Sequence, residues 1–519
     1  MNLLERYKQL STQRLLTRPL FFATTLFHAL FQGRGKHCQL SLRHVVLKLR
    51  NLVDRSILSK TNLLIQLKRR VLKKQHSGGV SGADRAAGRQ FPAMKIAVVG
   101  AGISGLAAAW ALSAQYRVTL FEAADYLGGH THTVDVAVDG VNFSVDTGFL
   151  VFNQRTYPRL TAMFAALGVE TTNSDMSFGV SLSDPALEWA GSGLSTLFAQ
   201  KRNLARPGFW RMLRDMLRFN RRTAEANLPQ VTLGTYLVRE HYSAEFRDWY
   251  LLPMAAAIWS CPTDAMLEYP LATFVRFCRN HGLLQISNRP QWQTVTGGGR
   301  NYVERIASLL DDIRIATPVQ GVRRDSTGVQ IDLPNGAGEH FDQVVLACHS
   351  DQALALMGSG ASAHERSILG AIRYQVNRAV LHTDTRLLPR DSRIWSAWNY
   401  MSGQHRMGGQ AVSVSYLINR LQPLPLTTPV ILSLNPHVEA DSAKVLGNYD
   451  YAHPVFDEAA INAQEQLLAI QGKGRLWFCG AWRGYGFHED GLASALAVAD
   501  LLGCQAPWLR AAARVRVAA

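Results

Sequence analysis

The chain has 519 residues, 47% hydrophobic and 18% charged, a composition that excludes a disordered or fibrous chain and allows a sizeable buried core. Its net charge of +16 resembles that of a nucleic-acid-binding protein until the charge is located along the chain. Residues 1–93 hold 18 basic and 3 acidic residues and carry +15, whereas the other 37 basic (55 − 18) and 36 acidic (39 − 3) residues carry +1. The body of the protein therefore shows no basic excess for nucleic acid.

The basic leader, 1–93, contains an apolar run from Leu20 to Phe31 that is too short to span a bilayer and lacks a small-residue cleavage site. Two interpretations stay open. The leader is a basic amphipathic arm for an anionic membrane, or it precedes a natural start at Met94. We favour the second, with a disordered or wrongly assigned leader, because Met94 opens directly on the first predicted strand.

The six cysteines stand singly along the chain, with no Cys-x-x-Cys pair and no His/Cys cluster at metal spacing. This pattern predicts reduced thiols, a cytoplasmic protein and no metal site.

The first motif follows Met94. Four apolar residues, 96–99, precede Gly100, Gly102 and Gly105, and an Ala/Leu-rich segment follows them, so strand, tight turn and helix are predicted in succession. Gly100 permits the turn, Gly102 lets the backbone approach a pyrophosphate, and Gly105 lets the helix pack closely on the strand. Free N–H groups at the start of the helix bind phosphates.

Two later features identify the dinucleotide. Glu122 ends a second strand 20 residues after Gly102, where a carboxylate accepts hydrogen bonds from ribose hydroxyls and repels a 2′-phosphate, which favours FAD or NAD over NADP. Gly128 and Gly129 continue the phosphate cradle, and such a second glycine pair favours FAD. The alternative is a plain βαβ turn.

The segment 145–153 is apolar and interrupted by glycine, which is typical of an ordinary strand with a bulge or of a segment beneath a flavin ring. Residues 176–295 are then predicted to form a helical, substrate-facing insertion. Within it, one helix face carries Phe209, Met212, Leu213, Met216 and Leu217, and the other carries Arg211, Arg214, Arg218, Arg221 and Arg222. A core-facing helix with a solvated basic face is favoured over an interfacial helix that contacts anionic lipid, which would give peripheral contact at the inner membrane face.

The remaining segments return to the cofactor domain and end in a glycine turn. Residues 317–319 and 322 precede a short alternating strand, a buried strand is predicted over 341–347, and strands separated by turns are predicted near 370–440. Leu476 to Gly480 predicts a strand that enters a glycine turn, and a helix starts at Gly491. A helix N-terminus there stabilises the negative charge of a reduced flavin.

Together, these patterns predict an α/β protein in which a Rossmann-type FAD-binding domain carries an inserted α+β substrate domain. The predicted boundaries are 94–175, 296–360 and 471–505 for the FAD-binding domain, 176–295 for the helical insertion, 361–470 for the substrate-domain sheet and 506–519 for a tail.

The glycine motif, Glu122, the segment Gly128-Gly129-His130 and the terminal Gly480 to Gly491 resemble the flavin-containing amine oxidase and phytoene desaturase superfamily. The resemblance implies a GR2-like FAD-binding domain. Three shorter motifs, at 127–133, 280–283 and 419–422, resemble a narrower group of bacterial NAD/FAD-binding oxidoreductases associated with cyclopropane-fatty-acid-synthase-like enzymes. The resemblance covers about residues 94 to 505.

The resemblance implies site residues position by position. The positions that match phosphate, ribose and adenine contacts are Gly102, Ser104, Gly105, Glu122, Gly129, His130 and Val319. The positions that match flavin contacts are Gly148, Phe149, Gly480, Asp490 and Leu492. Neighbours complete the predicted cofactor set, namely Gly100, Ile103, Ala123, Thr131, Leu150 and Gly491.

This chain departs from the superfamily at three positions. His130 stands where Arg is usual, His488 stands where monoamine oxidases have a Tyr, and no Lys occurs between 202 and 443 to serve as the central lysine of those oxidases. Cys479 and Cys504 do not match the cysteine that attaches their flavin, so non-covalent FAD is predicted. His488 is the candidate catalytic residue for substrate positioning or proton handling, and the alternative is a polar helix cap formed by residues 488–490.

The resemblance implies an FAD-dependent oxidoreductase that dehydrogenates a lipid acyl chain by hydride transfer to flavin N5, possible partners being a fatty-acid-modifying enzyme and a membrane surface. An insertion rich in Trp, Phe, Met and Leu suits such a substrate, although the same residues suit a core. The alternatives are an amine oxidase and a non-catalytic flavin-bound accessory of a fatty-acid-modifying enzyme.

Overall fold

The computed structural model of the chain describes residues 94–224, 228–259, 263–285, 289–402 and 413–509. The predicted leader lies outside these residues, and so do residues 510–519 of the predicted tail. Within the described ranges, no helix is both long enough and apolar enough to cross a bilayer.

A five-stranded parallel sheet is built around the first motif. From edge to edge its strands are Leu476–Phe478, Gln343–Leu346, Lys95–Val99, Arg117–Phe121 and Asp312–Arg314. The central strand contributes to two cores, because Ile96 and Val98 face one side of the sheet and Ala97 and Val99 face the other. Burial on both faces explains its continuous apolar sequence, and the predicted α/β Rossmann-type domain is confirmed.

Both faces of this sheet are covered. The helices that bury the first face are Ile103–Leu112, Pro158–Leu167, Arg300–Ala307 and His488–Leu501. The helices on the second face are Ser350–Met357, Ala363–Gly370 and Glu458–Gln466, and they share its core with an antiparallel sheet of Gly321–Arg324, Val329–Asp332 and Gly338–Phe341.

Two predictions for this region need correction. The buried strand predicted over 341–347 is two strands, because Asp342 turns the chain between sheets and its N–H donates to the Lys95 carbonyl at 2.9 Å. Val319 precedes the strand Gly321–Arg324, and Val322, predicted only to precede the alternating strand, lies within this additional strand. Pro318 has no N–H to donate to a ladder, which fits a strand that begins after Val319.

A second, seven-stranded sheet carries the other half of the molecule. From edge to edge its strands are Val445–Val455, Arg373–His382, Ile431–Leu434, Ser413–Leu417, Trp398–Met401, Phe178–Leu182 and Leu187–Ala190. The strands predicted near 370–440 are thus present. The helical prediction is wrong at the start of 176–295, because the hairpin at 178–190 joins this sheet. The alternation of apolar and polar residues in this hairpin is short, and the long segment that follows has helical periodicity, so the sequence pattern favours a helix.

Helices of the insertion pack on the second sheet and share its apolar core. They are Pro207–Arg222, Leu233–Arg239, Ala244–Phe246, Leu252–Trp259, Thr263–Leu267 and Leu271–Asn280. Tyr250, Leu252, Met254 and Trp259 are buried in that core, so packing already accounts for much of the aromatic and aliphatic content of the insertion.

Two further strand pairs lie outside both sheets. One is the hairpin of Thr133–Val138 and Val141–Asp146, and the other pairs Thr171–Ser174 with Trp292–Val295.

Candidate active site at the glycine turn

The glycine turn, residues 100–105, lies between the central strand and its helix. Gly100 has a φ of +101°, and its N–H donates to the Phe121 carbonyl at 2.8 Å. A Cβ on Gly105 would lie 1.8 Å from the Gly100 carbonyl oxygen, so a larger residue is excluded there. Gly102 caps the helix without a side-chain hydrogen bond, which leaves first-turn N–H groups for an anion.

Glu122 lies at the carboxyl end of the neighbouring strand. Its carboxylate accepts the N–H groups of Ala101 at 2.7 Å and Ala124 at 2.9 Å, so it ties the glycine turn to the next loop. The Thr317 N–H donates to the Glu122 carbonyl at 2.9 Å, which brings the segment before Val319 to the same edge of the sheet. The predicted ribose and adenine positions are therefore neighbours.

The second glycine pair packs directly on this turn. Gly128 and Gly129 have φ values of +118° and +57°, and the Gly128 N–H donates to the Ala101 carbonyl at 2.9 Å. A Cβ on Gly129 would lie 3.2 Å from the Gly102 Cα. Two glycine backbones thus approach one another, as the predicted phosphate cradle requires.

The start of the terminal helix, His488–Leu501, completes the arrangement from the far end of the sequence. A Cβ on Gly491 would lie 2.8 Å from Ser104 Oγ and 2.9 Å from Ile103 Cγ2. Leu492 is fully buried beside them. The N-termini of two helices therefore meet at the glycine turn.

Four other predicted residues have different surroundings. A Cβ on Gly148 would lie 2.0 Å from the His130 carbonyl oxygen, so the segment beneath the site also depends on glycine. The Gly480 N–H is bonded to a serine of the terminal helix at 2.9 Å. Leu150 is buried in the core of the second half, whereas Ala123 is exposed.

His488 is placed in a network of polar and aromatic groups. Its Nε2 lies 2.8 Å from Thr131 Oγ1 and 3.1 Å from Tyr302 Oη, and its ring stacks on Phe149 with centroids 3.8 Å apart. Burial alone lowers the pKa of His488 to about 3. The imidazole is consequently neutral at physiological pH and acts through hydrogen bonds rather than charge.

The two carboxylates that follow His488 are engaged by backbone groups. Glu489 accepts first-turn N–H groups of the helix Pro158–Leu167 at 3.0 Å. Asp490 accepts the N–H groups of Tyr485 and Phe487, each at 3.0 Å. Burial raises the pKa of Asp490 to about 6. The helix-cap interpretation therefore fits these two acids, while His488 does not cap the helix.

An aromatic wall continues from the loop before His488. The ring of Phe277 lies 5.4 Å from that of Tyr485, 5.2 Å from that of Phe487 and 4.0 Å from that of His281, which in turn stacks with Trp292 at 6.2 Å. Burial lowers the pKa of His281 to about 4, so this ring is neutral at neutral pH. The exposed Arg276 donates from its Nε to the Tyr485 hydroxyl at 2.7 Å. The predicted motif at 280–283 contributes His281 to the wall.

A histidine cluster lies on the other side of the glycine pair. The His130 ring is 5.3 Å from His453 and 5.9 Å from His349, and its buried Nε2 has no hydrogen-bond partner among the described residues. Burial lowers the pKa of His130 well below its usual value, and the neighbouring histidines lower it further. Buried polar atoms are generally hydrogen-bonded, so this imidazole nitrogen beside the cradle suits a bond to a phosphate or ribose oxygen.

Asp146 connects the two halves below this site. It accepts hydrogen bonds from Thr133 Oγ1 at 2.5 Å, from the Gly299 N–H at 2.9 Å and from Gln422 Nε2 at 2.8 Å. Burial raises its pKa to about 6 despite these donors. The predicted motif at 419–422 thus has a structural role at this junction.

Sequence reasoning missed Tyr302, His349, His453 and Asp146, because each takes its role from residues distant in the sequence. No group of three or more His, Cys, Asp or Glu side chains that could hold a metal occurs among the described residues.

The fold is similar to those of solved enzymes with several different activities. A protein assigned as a protoporphyrinogen oxidase from Exiguobacterium is 19% identical, with a TM-score of 0.57 over 79% of this chain and 99% of that one. A putrescine oxidase bound to putrescine is 16% identical, with a TM-score of 0.56 over 80% and 100%. A CLA-producing fatty acid isomerase from P. acnes is 14% identical, with a TM-score of 0.56 over 79% and 98%.

These likenesses concern the fold. No curated protein matched the chain. The wider resemblance is supported, whereas the association with cyclopropane-fatty-acid-synthase-like enzymes is not. The family model of flavin-containing amine oxidoreductases matches residues 103–418, more than half of the sequence. The chain belongs to this family and is an FAD-dependent oxidoreductase.

Proposed function

We propose that the enzyme oxidises a lipid acyl chain, removing a hydride and a proton from adjacent carbons to leave a double bond, with the proton released to solvent water. Bound FAD would supply the hydride acceptor at N5. The protein would hold the cofactor through the glycine turn, Glu122, the second glycine pair and His130. The substrate would lie against the aromatic wall near His488.

The observation that carries this proposal is the state of the groups beside His488. Both adjacent carboxylates, Glu489 and Asp490, already accept backbone N–H groups, and the rings of the wall formed by Phe277 and its neighbours carry no negative charge. A cationic amine would find no free carboxylate among these side chains, whereas an acyl chain needs only apolar contact and alignment.

The role proposed for His488 is substrate positioning. A group with a pKa near 3 is a weak base at neutral pH, which disfavours proton storage on the imidazole. Its bonds to Thr131 and Tyr302 and its stacking on Phe149 fix the ring in one orientation. A fixed, neutral ring can align the carbon chain without attracting an ion.

Anaerobic flavin reduction tests the substrate. We expect a lipid extract to bleach the flavin of the purified full chain and a polyamine panel to leave it oxidised. Cells with and without the gene should differ in fatty-acid unsaturation. Unchanged fatty acids together with bleaching by an amine would overturn the proposal.

Substitution of His488 tests its role with the same assay. His488→Ala should lower the rate of flavin reduction by lipid about tenfold to a hundredfold, because misalignment is costly in hydride transfer. His488→Gln should retain more of the rate, since its amide can still bond to Thr131. The exposed His364→Ala is the control and should leave the rate unchanged. A wild-type rate governed by a pKa near 6.5 that disappears in His488→Ala would show proton handling instead.

Amine oxidation is the second candidate function. It is favoured by the family model and by the likeness to a putrescine oxidase, whereas the absence of lysine between 202 and 443 speaks against it. Bleaching by one member of the amine panel identifies this activity. If neither lipid nor amine reduces the flavin, a flavin-bound accessory to a fatty-acid-modifying enzyme becomes the better hypothesis.

A further inference from the structure

The helix Pro207–Arg222 differs from its predicted form in a way that exposes a second stripe. Phe209, Met212 and Phe219 are fully buried, so one apolar face belongs to the core. Leu217, predicted on that buried face, is 51% exposed. The prediction of a core-facing helix therefore holds for one face of the helix. It does not explain why apolar residues such as Leu217 are exposed on another face.

The predicted basic face also divides into two sets. Arg211 pairs with Glu245, Arg222 pairs with Glu240, and Arg218 donates to the carbonyls of Glu240 and His241 and lies over the Tyr242 ring. These three arginines bind the neighbouring segment 240–245. Arg214 and Arg221 stay exposed on the remaining face, and Arg214 forms a salt bridge with Asp215 of its own helix at 3.5 Å.

The exposed stripe has a regular composition. It consists of Trp210, Arg214, Leu217 and Arg221, whose spacing of four, three and four residues places them on one helix face. Trp210 is 50% exposed. Its indole N–H donates to the Leu204 carbonyl at 2.8 Å and its ring lies 5.5 Å from the Phe198 ring, so the exposed part of the indole can contact an apolar phase. Apolar and cationic side chains therefore alternate along the helix.

Neighbouring residues extend the stripe into a surface. Leu204 is 52% exposed and borders an open groove with Trp210, Arg211 and Arg214, and Leu194 is 77% exposed in the preceding helix. Residues 194–222 contain eight basic residues and one acid, Asp215, whose side chain is buried. We call residues 194–222 with these exposed side chains the Trp210 surface.

We propose that the Trp210 surface docks the enzyme on a membrane rich in anionic phospholipid. Trp210, Leu204 and Leu217 would enter the boundary between headgroups and acyl chains, and Arg214 and Arg221 would bind lipid phosphates. Half-exposed apolar side chains interleaved with exposed cations suit such a boundary, because each kind of group meets its preferred phase within one helix. This inference goes beyond the proposed substrate and does not depend on it.

Vesicle binding of the full chain is the first test. Phosphatidylcholine vesicles with and without phosphatidylglycerol are compared by co-sedimentation. The variant Trp210→Ser with Leu217→Ser should bind anionic vesicles about tenfold more weakly. Arg214→Gln with Arg221→Gln should lose about as much at low salt and little at high salt, because only the charge contribution is screened.

A matched control removes the same residue types elsewhere. Leu468→Ser with Arg117→Gln alters an exposed leucine and an exposed arginine outside the Trp210 surface and should bind as the wild type does. Equal binding by the control and the Trp210 surface variants would overturn the proposal. So would equal binding to vesicles with and without phosphatidylglycerol.

A local measurement separates this surface from the basic leader, which is present in every variant. Phosphatidylglycerol with brominated acyl chains quenches only tryptophans that reach the acyl region. We expect more quenching of tryptophan fluorescence in the wild type than in Trp210→Phe, and the difference should equal the fluorescence that Trp210 contributes. Identical quenching overturns the proposal, and if the surface variants instead turn a dimer into a monomer, the surface is a self-association face.

Flavin reduction by detergent-dispersed lipid distinguishes this proposal from the proposed function. The Trp210 surface variants should keep the wild-type rate there, whereas a failed substrate proposal abolishes reduction in every variant and leaves vesicle binding intact.

Discussion

The two halves of the molecule, one built on the parallel sheet and one on the seven-stranded sheet, are each stabilised internally by a different kind of contact. Around the glycine turn, backbone lies against backbone, so that a Cβ on Gly105 or Gly148 would collide with a carbonyl oxygen at 1.8 Å or 2.0 Å. In the second half, side chains make the contacts, as in the cluster of Trp259 with Phe274 and Phe277. The first arrangement suits a dinucleotide, whose phosphate and ribose oxygens can be bound by backbone groups. In the second half, substitution of single side chains can change the substrate specificity.

Gly105→Ala should break the first half and have the largest effect. The added methyl group meets the Gly100 carbonyl, which neither a rotamer nor a flexible neighbour can relieve, so we expect about 3 kcal/mol or more of destabilisation and loss of bound FAD. Thermal unfolding and flavin absorbance measure both effects. Gly360→Ala, where a Cβ would meet nothing within 4 Å, is the control. A yellow, wild-type-like Gly105→Ala would contradict the close packing.

Gln422→Ala tests the junction between the halves. It removes the 2.8 Å donor to the buried Asp146 carboxylate, and we expect a loss of about 2 kcal/mol in the free energy of unfolding. Urea unfolding measures it. Gln466→Ala alters an exposed glutamine on another helix and should stay near the wild type. A loss below about 0.5 kcal/mol would show that Asp146 does not depend on Gln422.

The stability of the second half should depend on pH through the buried His382. His382 is fully buried, its Nε2 lies 2.9 Å from Ser433 Oγ, and its Nδ1 accepts the Asp384 N–H, while burial lowers its pKa to about 4. Between pH 6.5 and 4 the unfolded chain binds this proton and the folded chain does not, so stability is lost as the pH falls.

From pH 7 to 5.5, His382 should account for about 1 kcal/mol of that loss. The check is urea unfolding at both values for the wild type and for His382→Gln, whose loss should be smaller by this amount. Asp146, with its raised pKa, acts in the opposite direction between pH 6 and 3.8 and is present in both proteins. Equal losses would mean that the imidazole is protonated in the folded state.

The sequence was informative wherever geometry permits only one residue type. Gly100, Gly105 and Gly129 could be predicted because a turn or a close backbone approach requires glycine at a set spacing. Glu122 could be predicted because it ends a strand at a set distance from them. The roles of these residues toward FAD remain predictions that binding experiments with the variants can test.

Other features had no local sequence signal. Thr131 meets Tyr302, and Asp146 meets Gln422, across separations of 171 and 276 residues, and nothing near either residue indicates its partner. The hairpin 178–190 was not predicted, because its few alternating residues adjoin a long segment with helical periodicity. In each case the partner is chosen by the packing of the whole chain.

The contact of Gly491 with Ser104 and Ile103 has a consequence for synthesis on the ribosome. The glycine turn is made early, but the helix that closes over it follows almost four hundred residues later. At typical rates of about 5–20 residues per second, that interval is roughly 20 to 80 seconds. During this time the parallel sheet also lacks its edge strand Leu476–Phe478, so the nascent chain presents apolar surface that chaperones can recognise before the cofactor site is complete.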